Sequence, residues 1–380
     1  MLRVSDFRFR RVSLLGLFAA LTVSTALAES VVIKRKFEAG PSHLFETRTE
    51  ATQEMSGMPN VPKGESMKMK FDKVLCRREQ VKDGAMGKKE VTATFERAVQ
   101  IFDMPMMGGA LEFDSDDAEN EEAAPQLATI FGPMVGESIK YEVGRDGKVL
   151  NFSGMAEITK KIDAKATMNM FWSQMKSEFT DMAGRRQYAE DPLLIYPGKE
   201  VSVGDTWTGV SKQDRPPIGT IVEKSTFKLD RIGTENGRKV AFISYTTDVS
   251  SEGGSEEKKT ADAKGEEKKS GGSSVKGSGK GKAVYDIELG MIVSNESESK
   301  SDVRMSLSEM GGGEGTMKIN STVKSNMRLL SEADRNKQKE EAAQKIAARK
   351  KAQEEEEAED DEDDDEDEED EDDDEDSDDE

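Results

Sequence analysis

The chain has 380 residues, 34% of them hydrophobic, with one cysteine, one histidine and a formal net charge of -23. Cys76 alone cannot close an internal disulfide, and His43 alone removes most zinc sites, histidine-activated nucleophiles and metal triads from consideration. The acidity belongs to one segment: residues 354–380 hold 25 acidic side chains, which leaves residues 29–353 nearly neutral at -1.

Arg3, Arg8, Arg10 and Arg11 precede an apolar run from Leu14 to Val23, followed by Ser24-Thr25-Ala26-Leu27-Ala28. That order of charged, apolar and small residues predicts a secretory signal peptide over residues 1–28, with Ala26 and Ala28 defining the cleavage site. The apolar run is too short to span a bilayer, and no later segment approaches the required length. The expected product is soluble and exported, to the periplasm or the cell exterior. Glu29-Ser30 follows the cleavage site, so no lipidated cysteine is expected there. Arg10-Arg11 leaves both the general and the twin-arginine export routes open.

Val31 to Phe37 and His43 to Gln53 read as strands, the second with Phe45, Thr47, Thr49 and Ala51 on one face. Met67, Met69 and Phe71 alternate with Lys68, Lys70 and Asp72, and Cys76 falls in the same half-buried pattern. Beyond Asp83-Gly84, the residues Val91, Ala93, Phe95, Val99 and Ile101 are expected on a single buried face. An acidic loop, Asp114 to Glu122, leads to a short helix around Gln126 to Phe131. Ile139, Tyr141 and Val143 then pair across Asp146-Gly147 with Val149 to Phe152, a dipeptide suited to a tight hairpin. Met168, Phe171, Trp172, Met175, Phe179 and Met182 fall at helical spacing, which predicts one amphipathic helix lying over the sheet.

Leu193 to Pro197 connects to further strands from Trp207, and Phe227 and Leu229 pair across Asn236-Gly237 with Ala241, Ile243, Tyr245 and Val249. Residues 250–281 are almost wholly Ser, Gly, Glu and Lys and are expected to form a disordered insertion. Strands around Tyr285–Leu289, Val303–Leu307 and Met317–Leu329 complete a meander. Ser331 and Asp334 form a capping box, after which Glu332 to Gln353 has the composition of a charged, coiled-coil-like helix with only Ile346 as a large apolar residue. The expected organisation is a β-rich domain over 29–330, a solvated helix over 331–353 and a disordered polyacidic tail over 354–380. The fold class is α+β, mainly antiparallel β: a curved meander sheet or open half-barrel covered by an amphipathic helix.

The stretch Tyr196 to Trp207, YPGKEVSVGDTW, followed by a hairpin and the strand Tyr285-Asp286-Ile287-Glu288-Leu289-Gly290, resembles exported bacterial proteins of family 6263 of the domains of unknown function, of planctomycete type. The Gly144-Arg145-Asp146-Gly147-Lys148 hairpin closed by Gly154 is similar to that family too. The resemblance covers roughly residues 30–330 and implies a secreted β-rich module with no established activity. It transfers no catalytic, cofactor or metal residues.

No carboxylate pair stands in a recognisable hydrolase setting. Gly277-Ser278-Gly279-Lys280-Gly281-Lys282 lacks the spacing of a phosphate loop and reads as linker. Met67, Met69, Met104 to Met107, Met168 and Met170 could bind Cu(I) through thioethers, but gap-filling core methionine is the simpler reading for most, with Met104 to Met107 as a flexible apolar surface. The tail has no EF-hand loop; it would bind divalent cations only weakly and would repel nucleic acid. The sequons at Asn151, Asn295 and Asn320 matter only in a glycosylating host.

Two functional readings follow, neither with a cofactor, a membrane span or a nucleic-acid partner. One is a non-enzymatic envelope protein engaging a protein partner through the tail or insertion. The other is a periplasmic carrier holding a lipid or other apolar ligand in a half-barrel. A core-lining face and a ligand-lining face alternate identically, so sequence barely separates the two; the first is preferred because only fold analogy supports a ligand.

Overall fold

The computed structural model describes residues 29–363 except 59–60, 63, 105–108, 118–123, 168, 216–217, 253–258, 262–266, 270–272 and 309–314. The cleavage residues Ala26 and Ala28, most of Met104 to Met107, Met168 and the end of the acidic tail lie outside the described residues. In chain order, β1 (Ser30–Ile33) precedes a meander of β2 (His43–Ser56), β3 (Ser66–Asp83), β4 (Lys89–Met104), β5 (Gly109–Asp114), β6 (Ser138–Val143) and β7 (Val149–Ser153), with helix α1 (Pro125–Phe131) between β5 and β6. Helical segments follow, then β8 (Lys199–Ser202) and a second meander of β9 (Thr206–Arg215), β10 (Gly219–Glu235), β11 (Arg238–Glu252), β14 (Ser274–Asp286), β15 (Met291–Ser306) and β16 (Thr316–Leu330). The short strands β12 (Lys259–Ala261) and β13 (Glu267–Lys269) pair between β11 and β14.

These strands form one antiparallel sheet in the order β7-β6-β4-β3-β2-β16-β15-β14-β11-β10-β9, with β5 on β4. Its two ends do not meet, so it is an open half-barrel, the expected fold class. The two meanders join through β2 and β16, paired from Leu44 with Leu330 to Ser56 with Lys318. At the Asn236-Gly237 turn both residues take positive φ (50° and 77°), the geometry that lets β10 return directly as β11.

Two apolar clusters fill the inner face. Under the first meander, Phe95, Phe113, Ile139 and Leu75 pack against α1 and against α2 (Met155–Lys165), which presents Met155, Ile158 and Ile162. Full burial of each of these isoleucines stabilises by roughly 1.5–3 kcal/mol. Under the second, Trp207, Phe227, Leu229 and Ile243 pack with Ile33 and Val201 from the separate β1–β8 ribbon.

Several expectations change. β4 does not keep one face: Cys76 pairs with Arg97 but Arg77 with Phe95, so Glu96 is an inserted bulge residue and the alternation changes phase. Phe95, Ala98 and Phe102 face inward, whereas Val99, opposite Val74, and Ile101 turn to the outer face. The single helix expected from Met168 to Met182 is broken into α3 (Met170–Met175) and α4 (Asp181–Gly184), followed by a π-helical turn, Arg185–Glu190. Asn169 and Thr180 each restart the backbone, their side chains accepting from Trp172 N and Ala183 N. Trp172 and Phe179 are buried, but Met182 is 76% exposed, and α2, absent from the sequence reading, supplies much of the cover. The insertion expected over 250–281 is narrower, because Ser250–Glu252 continues β11 and Ser274–Gly281 is paired in β14. The Gly277–Lys282 stretch is therefore strand, not linker.

The charged helix expected to be solvated is docked. As α5 (Glu332–Asp363) it crosses the outer face, where Arg335, 2% exposed, holds Asp116 through two nitrogens at 2.6 and 2.9 Å. Glu332 pairs with Arg78, Gln338 donates to Glu46, Arg349 pairs with Asp117, and Ala342 is buried. A docking face made of ion pairs has no apolar stripe to betray it in sequence. Cys76 lies beneath this helix, and burial pushes its thiol up to about 11. Removing one partner of a buried pair costs about 3 kcal/mol, so Arg335→Ala should loosen α5. The expected readout is faster reaction of Cys76 with a thiol reagent, against near-inertness in the unaltered protein.

Candidate functional site

Between the two clusters the sheet is not filled. Around the β2–β16 junction the inward positions are small or polar, including Thr47, Thr49, Ser325 and Asn295, and they enclose a cavity of about 500 Å³. Apolar side chains line part of it: Phe45, Leu75, Phe227, Ile292 and Met327 from the sheet, and Ile195 from the opposite wall. That wall is the π-helical turn and the segment after it, contributing Gln187, Tyr188, Asp191 and Tyr196.

The wall is clasped to the sheet by aromatic side chains. Trp207 Nε1 donates to the Ile195 carbonyl at 3.0 Å, and the Tyr196 hydroxyl accepts from Ile292 N at 2.9 Å. Before Trp207, Gly204 takes φ 96°, Asp205 Oδ2 accepts from Ser202 N, and Gly204 N donates to the Leu229 carbonyl, which fixes the entry into β9. Tyr285 donates to the Lys34 carbonyl at 2.9 Å, and Asp286 Oδ1 accepts from Glu288 N and Leu289 N. The Tyr196–Trp207 motif noticed in the sequence thus fastens the cavity wall, and the Tyr285–Gly290 motif fixes its own turn and the Lys34 backbone.

Its polar groups are unevenly satisfied. Glu79 is held between Arg77 (2.6 Å) and Arg35 (3.2 Å), while Arg77 also lies over the Tyr188 ring at 5.3 Å. Arg35 Nη1 is buried with no acceptor. Lys73, half-buried, faces the cavity and has no hydrogen-bond or ion-pair partner among the described residues, and desolvation lowers its amine from the usual lysine value. Asp191 accepts from Ser211 at 2.9 Å; burial raises its carboxyl, and burial followed by the charge of Asp191 raises Glu223. None of these residues was singled out from the sequence. The available signal was Lys73 itself, a lysine occupying the inward register of Met69, Phe71 and Leu75.

Residues 86–292 match a family of unknown function, DUF6263. The chain belongs to this family. The matched span carries the Asp146-Gly147 hairpin, the Tyr196–Trp207 clasp and the Tyr285–Gly290 turn. No curated protein matches. Among solved structures, the chain is similar to lipovitellin, described for its lipid–protein interactions, at 8% identity and TM-score 0.35 over 78% of this chain and 26% of that one. It therefore spans about a quarter of lipovitellin's length. A DUF1329 family protein from Desulfovibrio piger aligns at 9% identity and TM-score 0.14 over 76% and 88%, and OccK7 of Pseudomonas aeruginosa at 8% and 0.18 over 77% and 99%. Scores of this size establish no shared fold.

Other sequence candidates lie apart from the cavity. His43, opposite Glu79 on β3, is lowered by burial and by Arg35. Met67 and Met55 face each other across β2 and β3 near the open end of the sheet, with Met69 buried beside them. No cluster of three or more His, Cys, Asp or Glu suited to a metal occurs among the described residues. A wider groove of about 890 Å³ on the other side of the sheet is lined by Arg48, Lys280, Lys282 and Lys324 with Glu50 and Glu298, a charged face of mixed sign.

A raised carboxyl stabilises the fold fully below its unfolded value, 3.8 for aspartate, and that contribution is lost as pH rises through the folded value. Asp191→Asn, which can still accept from Ser211, should therefore raise the thermal midpoint at about pH 7 and change it little at about pH 3. Gly281 admits the Tyr245 ring, since a Cβ there would run into Tyr245 and the Glu296 carbonyl. Gly281→Val should cost roughly 1–3 kcal/mol by overpacking, measurable by urea denaturation.

Proposed function

We propose that this protein is an exported binding module that carries one small, largely apolar molecule in the half-barrel, delivered outside the cytoplasm by the leader in residues 1–28. The observation behind this reading is the unfilled space at the β2–β16 junction. Cavities of 300–1,000 Å³ are about the size that encloses a small ligand, and this one is about 500 Å³. Its lining is of mixed character, aromatic and aliphatic side chains such as Phe45, Leu75 and Phe227 meeting charged and hydroxyl groups such as Lys73, Thr49 and Ser325, which suits a ligand with both apolar and polar parts.

A protein acting only through its surface has no use for such a space, because an unfilled interior costs stability in proportion to its volume. The clasp residues fix its outline: Trp207 and Tyr196 hydrogen-bond the wall to the sheet at set points beside the space. No helix among the described residues is long and apolar enough to cross a membrane.

Solvent extraction and mass spectrometry of protein purified from its native host should release about one apolar molecule per chain. Empty protein that also fails to take up a fluorescent long-chain probe would overturn the proposal.

A further inference from the structure

The cavity wall is short of acceptors. Arg35 Nη1 is buried without an acceptor, and the half-buried Lys73 has no hydrogen-bond or ion-pair partner among the described residues, whereas the carboxylate nearest to Arg35, Glu79, is already shared between two guanidinium groups. An ammonium taken out of bulk water with nothing to pair with is expensive, which makes an unpaired inward lysine unusual unless something else brings the counter-charge. The remaining acids of the cavity do not supply it. Asp191 responds to burial, then to Ser211, Arg186 and Glu190, Glu223 to burial and then Asp191, and Lys73 to burial alone, so neither acid acts on the lysine.

The register places matching groups beside Lys73. Thr49 pairs with Lys73 and Ser325 pairs with Thr49, so the three stand in one row across β3, β2 and β16. Adjacent strands are about 4.8 Å apart, a spacing at which an ammonium and two hydroxyls can donate to the oxygens of one small anion. No hydrogen bond of the Thr49 or Ser325 side chain to another described residue competes for them. One register step away, Leu75, Thr47 and Met327 form the next row, and Phe45 and Phe227 lie beyond, so the polar row borders apolar lining.

We infer that the ligand is an amphiphile with a single anionic group, a fatty-acid carboxylate being the simplest case, seated on Lys73 between Thr49 and Ser325 with its apolar chain against Leu75, Phe45 and Phe227. This rests on the carrier reading and specifies its ligand class. Lys73 is a binding residue here, not a reactive one: the contact is an ion pair, and no bond forms or breaks. Burial lowers the amine, and a bound carboxylate would favour its charged form.

The test is calorimetric titration of the delipidated full chain with oleate and with oleyl alcohol, which differ only in the head group. Oleate should bind about tenfold tighter or more, the factor carried by roughly 1.4 kcal/mol. Lys73→Met should abolish that preference while leaving oleyl alcohol unaffected, and Lys73→Arg should retain it. Lys73→Gln, which keeps hydrogen-bonding capacity without the charge, should behave as Lys73→Met and guards against a packing effect. The unbound Lys73→Met protein should be at least as heat-stable as the original, since it no longer buries an unpaired amine.

Equal affinity for the two lipids, or a preference that survives Lys73→Met, overturns the anion seat and leaves the carrier reading standing. Binding of neither lipid overturns both. Inorganic phosphate that displaces oleate at equal concentration would show that the site takes the free anion and not the amphiphile.

Discussion

The ladder between β2 and β16 is the constraint on which the molecule depends. It joins strands that begin more than 270 residues apart, at His43 and Thr316, and converts two separate meanders into one continuous sheet. Without it each half would present a long unpaired edge and half a core. The loop-closure entropy of such a distant pairing is set against a ladder running from Leu44–Leu330 to Ser56–Lys318, anchored at one end by Leu44, Leu330 and Cys76. Midway along the same junction the inward side chains Thr47, Thr49 and Ser325 are small and polar, so the place that unites the sheet also borders the cavity.

That combination sets stability against use. The clusters around Phe95 and Trp207 pack densely on either side, and the gap between them holds a lysine with no partner, an arginine nitrogen with no acceptor and two carboxyls whose ionisation burial opposes. A fold selected only for stability would replace Lys73 by an apolar residue, as the neighbouring inward positions Phe71 and Leu75 already are. Sites that bind ligands commonly carry this sort of local cost. The outer face follows a different logic. There the charged contacts of α5 described above are paired, from Arg335 with Asp116 to Arg349 with Asp117, although Arg335 Nε is buried without an acceptor, and the helix is fixed to the sheet without an apolar stripe.

Much of the fold was legible because it rests on local pattern. The Asp146-Gly147 and Asn236-Gly237 hairpins follow from turn chemistry, and the long strands from period-two alternation. What misled was also local. A single bulge residue, Glu96, reverses the phase of β4, and two capping side chains, Asn169 and Thr180, break what reads as one helical stripe. Gly277 to Lys282 has the composition of a linker, yet its glycines sit in β14, where Gly281 makes room for Tyr245. Composition reports what a segment can bury by itself, and neighbours decide whether it needs to bury anything.

The sequence by itself determined the antiparallel class, the acidic tail set apart from a neutral body, and the scarcity of histidine and cysteine, because each follows from residue type and short-range spacing. Family membership was equally visible, since the motifs that carry it are tight structural fastenings. Only the tertiary structure decided that β2 meets β16, that α5 is docked and that a cavity opens beneath Lys73. Each of these depends on side chains tens to hundreds of residues apart coming to face one another, and a pattern along one strand is the same whether that strand faces a core, a ligand or an empty space.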